Sequence, residues 1–213
     1  MNVTVSIVNW NRADLLGRCL DSVFLTDPKV GYEVIVVDNA SNDDSVPMVR
    51  SALPAVHVIR NSTNVGFGRA HNQAIATARG RYILILNNDA ELKPDTLPTL
   101  IEFMDRVPSA GISTCMETQP TPSRWSSGLG MRCFPTVSRE LALNVVELLA
   151  PPKRIGRDAI VAPLARWLSG CRSTFGTPEE QVAWAGGALL LLRKAMLDQI
   201  GPFDERFFLY FEE

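Results

Sequence analysis

Short runs of aliphatic and β-branched residues alternate with segments of helical periodicity through the first half of this chain, and this alternation limits the fold more than any other feature. The runs that predict strands lie at 3–9, 33–38, 56–59, 81–86 and 111–115. The segments whose apolar residues recur at helical spacing lie at 13–24, 67–78 and 94–106. Strands that alternate with helices form βαβ units around a largely parallel sheet. The sequence therefore predicts an α/β fold.

The second half of the chain has a weaker pattern. Residues 119–128 are rich in Pro and Ser and predict a loop, and residues 138–149 predict a helix. Residues 182–192 then predict a buried strand, followed by a short helix at 194–200.

Composition and charge exclude several classes of protein. The 213 residues are 46% hydrophobic and 21% charged, with a formal net charge of -2, so nothing indicates a nucleic-acid partner. The longest nearly apolar stretch, 183–192, is too short to span a membrane, which takes about 20 residues. The four cysteines lack the paired spacing of a zinc or redox site, and we expect reduced thiols in a cytoplasmic protein.

Polar residues stand where three of the predicted strands end. Asn9 ends the first strand, Asp38 ends the second, and the run Asn87–Asn88–Asp89 follows the fourth. In an open parallel sheet, ligands bind beyond the carboxyl ends of the strands, where the strand order reverses. The sequence therefore predicts a binding site that these residues share.

Two interpretations are open for each acid. Asp89 could ligate a hard divalent cation, which prefers oxygen ligands, or it could simply belong to a turn, where Asn and Asp are common. Asp38 could accept hydrogen bonds from a nucleobase or ribose, or it could cap the next helix. Asn42, Asp43 or Asp44 can do that capping, which leaves Asp38 available for a ligand.

The stretch NVGFGRAHNQAI carries two glycines at the start of a predicted helix. Gly66 and Gly68 suggest backbone N–H groups close to an anion. The dinucleotide-binding fingerprint fails here, because His71 stands where the third small residue belongs. A nicotinamide-dependent oxidoreductase is therefore disfavoured, and His71 is predicted to be a helix-face residue rather than a ligand.

Several segments, taken together and in order, resemble inverting glycosyltransferase family 2, and most closely its rhamnosyltransferase-like members in bacterial surface polysaccharide synthesis. The segments are SIVNWNR, VIVVDNASNDDS, NVGFGRAHNQAI, LILNNDAEL, WAGGALLLLRKA and IGPFDERFFLYFEE. The resemblance covers nearly the whole chain and is weakest over 117–181.

The resemblance implies a GT-A-like nucleotide-binding sandwich, with a mostly parallel central sheet flanked by helices. It implies one domain over 1–213, in which 1–116 bind the nucleotide sugar and 117–213 form the acceptor side. Asp89 would ligate Mg²⁺ or Mn²⁺ on the donor diphosphate. The other residues implied to bind the donor or border the acceptor site are Ser6, Val8, Asn9, Asp38, Asn39, Gly66, Arg69, Asn72, Asn87, Asn88 and Gly187.

The implied reaction moves a sugar, with rhamnose favoured, from a nucleotide-diphosphate donor to a saccharide or lipid-linked acceptor. The family's catalytic base belongs to a Glu-Asp pair after the aromatic run. Here the pair is Glu212-Glu213, so Glu213, in the Asp position, is the candidate base and Glu212 the second choice. Family members continue well past this pair with a helical acceptor-side region, so we expect a truncated chain.

Two alternatives to an active glycosyltransferase remain. The first is a non-catalytic nucleotide-sugar-binding fragment, which is favoured by the fact that the chain ends at the candidate base. A sugar-phosphate nucleotidyltransferase would need a Gly-rich loop after the first strand, and residues 9–12 contain no Gly.

A basic segment lies in the second half of the chain. Residues 153–172 carry one acid, Asp158, against Lys153, Arg154, Arg157, Arg166 and Arg172. The segment could dock a cytoplasmic protein on the inner face of an anionic membrane, where a lipid-linked acceptor would lie. The alternative is an ordinary solvated basic face.

Overall fold

A computed structural model describes residues 1–115, 179, 181 and 185–208. Of these, residues 1–115 and 187–208 belong to one compact unit. Their strands are β1 (Val3–Asn9), β2 (Tyr32–Asp38), β3 (His57–Arg60), β4 (Tyr82–Asn87), β5 (Ile112–Ser113) and β6 (Leu189–Arg193). Their α-helices are α1 (Ala13–Phe24), α2 (Ser45–Ala52), α3 (Phe67–Thr77), α4 (Thr96–Arg106) and α5 (Lys194–Ile200), and a 3₁₀ turn spans Pro28–Val30.

The strands form one sheet in the order β3-β2-β1-β4-β6-β5. The pairs β1–β2, β2–β3 and β1–β4 are parallel, whereas β6 runs antiparallel to both β4 and β5. The chain moves outward from β1 through β2 to β3 and then returns to β4 on the other side of β1. The strand order therefore reverses between β1 and β4, where such sheets bind ligands.

The strands and helices predicted within the described residues are confirmed, most of them with ends that match or differ by one or two residues. Of the strand predicted at 182–192, residues 189–192 belong to β6, which ends at Arg193, and residues 187–188 form a turn that leads into it. The edge strand β5 has only two residues instead of five. The helix predicted at 138–149 lies outside the described residues.

Both faces of the sheet are covered. On one face, Val5, Ile7, Leu84 and Leu86 pack in the main core, which includes side chains of α1 and α4. On the other, α3 covers Ile35 and Val37 with its small residues Ala70 and Ala74. Small residues let a helix lie close to the strands, so α3 is pressed against β1 and β2.

Arg193 fastens β6 to the end of α4. Its guanidinium donates hydrogen bonds to the backbone carbonyls of Met104, Val107 and Ala110, which lie in or just after the last turn of α4. It also donates to the Tyr82 hydroxyl at 3.2 Å. A cation is favoured at this end of a helix because the last carbonyls lack intrahelical partners. Within the described ranges, no helix has the length and apolar character needed to cross a bilayer.

Candidate functional site

The side chains at the tips of β1, β2 and β4 form one hydrogen-bonded cluster. Asn9 and Asp38 are register partners, and the Asn9 amide nitrogen lies 3.5 Å from Asp38 Oδ1. On its other side, Asn9 Oδ1 accepts a hydrogen bond of 2.8 Å from Asn88 Nδ2. Asn9 and Asp38 are buried, at 0% and 1% exposure. The structure thus brings together predicted site residues from three strands at the point where the strand order reverses.

Asp38 retains capacity to bind a ligand. Its Oδ2 accepts the Ser41 backbone N–H at 3.1 Å, and among the described residues Oδ1 receives only the long contact from Asn9. A carboxylate offers about four lone-pair sites, so further donors can be accommodated. Capping is done instead by Asp43, whose two oxygens accept the backbone N–H groups of Ala13 in α1 and Ser45 in α2. Asp38 is therefore not needed as a helix cap.

Asp89 lies in a turn directly after β4, closed by a 3.2 Å hydrogen bond from the Ala90 N–H to the Asn87 carbonyl. The prediction that Asp89 belongs to a turn is thus correct for the backbone. The Asp89 side chain is exposed, and among the described residues it has neither a hydrogen-bond nor a salt-bridge partner. The turn leaves its carboxylate available for a ligand.

The electrostatics beneath this turn are negative. Burial, followed by the charges of Asp89 and Glu91, raises the pKa of the Cys19 thiol to about 12. Cys19 donates to the Asn87 carbonyl at 3.4 Å, so the thiol stays protonated beneath the turn. A local negative field of this kind favours a cation.

The residues present fit a cation shared with a substrate. The described part of the chain contains no group of three or more His, Cys, Asp or Glu side chains that could hold a metal ion. Mg²⁺ often takes only one or two protein carboxylates and completes its shell with water and substrate phosphates. Asp89 can supply one such ligand, which agrees with the single acid of the strand-end run.

Asn39 connects the cluster to the loop before α3. It is 2% exposed, and its Nδ2 donates to the Gly66 carbonyl at 3.1 Å. Its Oδ1 accepts from Asn61, which exchanges two hydrogen bonds of 3.0 Å with Gln73 of α3. This chain of amides holds Gly66, whose φ of +90° lies in the region that favours glycine.

Two N–H groups at the start of α3, those of Gly66 and Phe67, are already paired. The Gly66 N–H donates to Asn64 Oδ1 at 3.0 Å, and the Phe67 N–H donates to the Phe208 carbonyl at 2.9 Å. Two residues of α3 implied to bind the donor also contact the C-terminal part. Arg69 forms a 3.5 Å ion pair with Glu205, and Asn72 is hydrogen-bonded to Phe203.

Ser6 and Val8 lie on the α3 face of the sheet rather than in the strand-end cluster. Ser6 is fully buried, and its Oγ is 2.7 Å from His71 Nδ1. Burial lowers the pKa of His71 to about 3, so the imidazole is neutral at physiological pH. Val8 is half-buried and packs with Ile35 and Val37. His71 is thus an internal partner of Ser6, in keeping with its predicted place on a helix.

The remaining predicted residues divide into two groups. Asn87 is half-buried, and its backbone N–H donates to Ala188 at 2.9 Å, which places Gly187 next to the tip of β4. The acidic pair Glu212-Glu213 and the basic segment 153–172 lie outside the described residues.

Sequence reasoning missed Trp10. This residue follows Asn9 at the tip of β1 and is 55% exposed. Asn11, next to it, has a φ of 53° and is joined to the loop after β2 by hydrogen bonds with Ser41 and Asn42. These hydrogen bonds hold the loop after β1, which exposes the Trp10 indole directly after Asn9 of the strand-end cluster. The signal available in the sequence was an aromatic residue set between two Asn residues at a strand end.

Comparison with known proteins gives a family match. The sequence model of the family described as Glycosyl transferase family 2 matches residues 4–149. The N-acetylglucosaminyl-diphospho-decaprenol L-rhamnosyltransferase of Mycobacterium tuberculosis is 25% identical over 224 residues, covering 98% of this chain and 67% of the relative. The succinoglycan biosynthesis protein ExoO of Rhizobium meliloti is 38% identical over 106 residues, covering 49% of this chain and 30% of the relative.

Solved structures share the fold at low identity. The mannosyltransferase PcManGT from Pyrobaculum calidifontis, in complex with GDP-Man and Mn²⁺, aligns with a TM-score of 0.59 and 22% identity over 96% of this chain. S. aureus TarS 1-349 aligns with a TM-score of 0.57 and 20% identity, also over 96%. The chain spans about half the length of these two proteins, at 48% and 51%.

Proposed function

The chain belongs to glycosyl transferase family 2 and has a GT-A-like fold, and on that premise we propose that it is a metal-dependent, inverting glycosyltransferase. It takes a sugar from a nucleotide-diphosphate donor and transfers it to a saccharide or lipid-linked acceptor in cell-surface polysaccharide synthesis. The observation that carries the proposal is the Asn9 bridge, which joins buried Asp38 to Asn88 at the reversal of strand order.

The nucleoside is held at the tips of β1 and β2. Asp38 accepts hydrogen bonds from the base or the ribose, and Asn9 and Ser41 keep its carboxylate oriented. The exposed indole of Trp10 offers a flat apolar surface on which a base can stack. Asn39 contributes by holding the loop at Gly66.

The diphosphate lies at the turn after β4. Asp89 is the residue that would hold Mg²⁺ or Mn²⁺ there, with Asn87 and Asn88 beside it. A divalent cation in this position supplies Lewis-acid stabilisation of the negative charge on the leaving diphosphate. The solved neighbour with GDP-Man and Mn²⁺ supports a divalent cation in this fold.

The acceptor hydroxyl is activated by a carboxylate, for which Glu213 is the candidate and Glu212 the second choice. The base removes the hydroxyl proton as the oxygen attacks the anomeric carbon and the bond to the diphosphate oxygen breaks. Attack from the face opposite the leaving group inverts the configuration. Such general base catalysis contributes typically about 10²–10⁴-fold. The support for these two residues is their place in the sequence after the aromatic run.

Rhamnose is the favoured donor sugar, and the similarity over 98% of this chain to relatives named as L-rhamnosyltransferases supports it. Thymidine diphosphate is its favoured carrier on the family resemblance alone. The relatives' name includes a decaprenol-linked acceptor, which supports reaction at a membrane surface. The basic segment 153–172 would then favour anionic lipid. Co-sedimentation with vesicles that contain or lack anionic lipid tests the membrane association.

A thermal-shift screen of nucleotide sugars, each with and without Mn²⁺, tests the proposal. A ligand that binds only the folded state stabilises it by RT ln(1 + [L]/Kd), where [L] is the free ligand concentration, so the true donor raises Tm. We expect the largest rise for one nucleotide family, and only when Mn²⁺ is present. The proposal fails if no nucleotide sugar raises Tm, or if the rise does not depend on the metal.

A further inference from the structure

The segment from Phe203 to Phe208, which we call the strap, runs along α3 and is tied to it at both ends. At its start, Asn72 Nδ2 donates to the Phe203 carbonyl at 2.9 Å, and the Phe203 N–H donates to Asn72 Oδ1 at 3.0 Å. One side-chain amide thus satisfies both backbone groups of a residue 131 positions away. At the far end, the Phe67 N–H donates to the Phe208 carbonyl at 2.9 Å.

Contacts between these two ends are weaker. Asn72 Nδ2 also lies 3.2 Å from Glu205 Oε1, and Glu205 pairs with Arg69 at 3.5 Å. Both members of that ion pair are more than half exposed, and exposed ion pairs contribute little. The Phe203 ring packs near the rings of Phe67 and His71. Because Asn72 is only 8% exposed, its hydrogen bonds with Phe203 form the main polar tie of the strap.

The strap ends against Gly66. A Cβ at this position would lie 2.5 Å from the Phe208 carbonyl oxygen, so the close approach requires a glycine. The opposite side of Gly66 is held by Asn39, which directly follows Asp38. The end of the strap is therefore linked to the strand-end cluster through Gly66, which Asn39 holds by its hydrogen bond.

The sequence continues from this point toward the acidic pair. Glu212 and Glu213 follow Phe208 by four and five residues, and an extended chain covers at most about 3.6 Å per residue. The position of Phe208 thus limits the Cα atoms of these two residues to within roughly 14–18 Å of the Phe208 Cα atom. A strap that came off α3 would remove that limit.

We propose that Asn72 is a positioning residue for sugar transfer, which acts by clamping the strap to α3 and does not touch the nucleotide. This role rests on the proposed function. Both polar atoms of the Asn72 amide are engaged by the strap, whereas the resemblance alone implied that they face the donor. The clamp fixes residues 203–208, from which the chain continues to the candidate base.

The test is the variant Asn72→Ala in the full chain, with Thr77→Ala as the matched control on the same helix. The Thr77 hydroxyl bonds only to carbonyls of Gln73 and Ala74 in α3 itself. Hydrogen exchange of the Phe67 amide reports whether the strap is docked, because its acceptor is Phe208. The other measurements are Kd for thymidine diphosphate with Mn²⁺ and kcat for transfer from the corresponding rhamnose donor.

We expect Asn72→Ala to speed Phe67 exchange by at least about tenfold, because the strap opens locally. We expect kcat to fall by roughly 10²-fold, because a displaced catalytic group costs rate without costing donor affinity. Kd for the nucleotide stays within about threefold, since its contacts lie at the strand tips. We expect Thr77→Ala to match the parent protein in Phe67 exchange, nucleotide Kd and kcat.

Three results would overturn the role. A parallel loss of nucleotide affinity would make Asn72 a donor ligand instead. Parental kcat in a folded Asn72→Ala variant would show that the clamp is dispensable. Absence of transfer by the parent protein would overturn the proposed function and this role with it. If Asn72→Ala does not fold, Asn72→Asp substitutes for it, because Asp keeps the acceptor for the Phe203 N–H but loses the donor; the same kcat and Kd criteria then apply.

Discussion

Asn88 donates a hydrogen bond of 2.8 Å to Asn9, although the two residues are 79 positions apart. The bond ties the turn after β4 to the tip of β1, where Asn9 also meets Asp38. Asp89 follows Asn88 directly, so its exposed carboxylate is held within one residue of this network. The tips of β2 and β4, on either side of β1, are thus joined through Asn9 at one end of the sheet.

Replacement of Asp89 by Ala should abolish metal-dependent donor binding and leave the fold intact. The side chain is exposed and has no polar partner among the described residues, so its loss breaks no internal contact. We expect the Mn²⁺-dependent nucleotide affinity to fall by at least about 10–100-fold, as when a metal site is disturbed. Calorimetric titration with and without Mn²⁺ measures this. Glu91→Ala is the matched control, and unchanged affinity in Asp89→Ala would refute the metal assignment.

Replacement of Glu213 by Gln should stop transfer while sparing donor binding. Gln keeps the size of the side chain but cannot accept the acceptor's proton, so we expect a loss of roughly 10²–10⁴-fold in kcat. Steady-state transfer rates and nucleotide titrations on the same preparation separate the two effects. Glu212→Gln is the comparison, and if that variant loses activity and Glu213→Gln does not, the base is Glu212.

Trp10 should contribute to nucleotide affinity by stacking. It is 55% exposed at the tip of β1, and stacking of a base on an aromatic side chain contributes about 1–3 kcal/mol. We expect Trp10→Ala to weaken nucleotide binding by that amount and Trp10→Phe to retain most of it. The control is Ile200→Ala, which removes another exposed apolar side chain, 73% exposed, from α5. Equal affinities for all three variants would show that the indole does not contact the base.

Acid should destabilise the protein partly through His71. Burial lowers its pKa from 6.5 to about 3, so between these values the unfolded chain binds a proton that the folded chain does not. The contribution of His71 to the free energy of unfolding is fully present above pH 6.5. It is lost as the pH falls toward 3, by at most about 1.4 kcal/mol per pH unit. Denaturant unfolding at about pH 7, 5.5 and 4 measures the slope.

The variant His71→Gln should show a shallower loss of stability over that range, because its side chain does not titrate. The control His57→Gln alters an exposed histidine of β3 and should keep the parental slope. Parallel stability curves for His71→Gln and the parent protein would mean that His71 makes no such contribution.

Gly80 should tolerate no side chain, in contrast to Gly17. A Cβ at Gly80 would meet the backbone of Thr4 and lie 2.6 Å from the Val3 carbonyl carbon, and backbone cannot move aside. We expect Gly80→Ala to lower the free energy of unfolding by about 1–3 kcal/mol or more, as overpacking does. Gly17 lies in α1, where a Cβ would lie 3.9 Å from the Met48 side chain, which is an ordinary contact. Gly17→Ala should therefore raise the free energy of unfolding by up to about 1 kcal/mol. Urea unfolding of both variants decides the sign of each effect.

The regular elements were predictable because their signals are local. The apolar periodicity of 13–24 predicts α1 to the residue, and the run 3–9 predicts β1 equally well. The antiparallel pairing of β6 with β4 was not predictable, because it joins residues about a hundred positions apart in the sequence. The shortening of the strand predicted at 182–192 also depends on the turn at 187–188, whose position the apolar run conceals.

The amino-acid sequence determined which side chains stand at strand ends, because strand ends and turn residues follow from local hydrophobic patterns. Asn9, Asp38 and Asp89 were identified in this way. What each polar group bonds to depended on the three-dimensional structure, since hydrogen bonds form between groups that are close in space and not in sequence. Folding thus commits Ser6 to His71 and Asn72 to Phe203, which removes both from the strand-end cluster. It leaves Asp89 and Trp10 exposed, after the ends of β4 and β1.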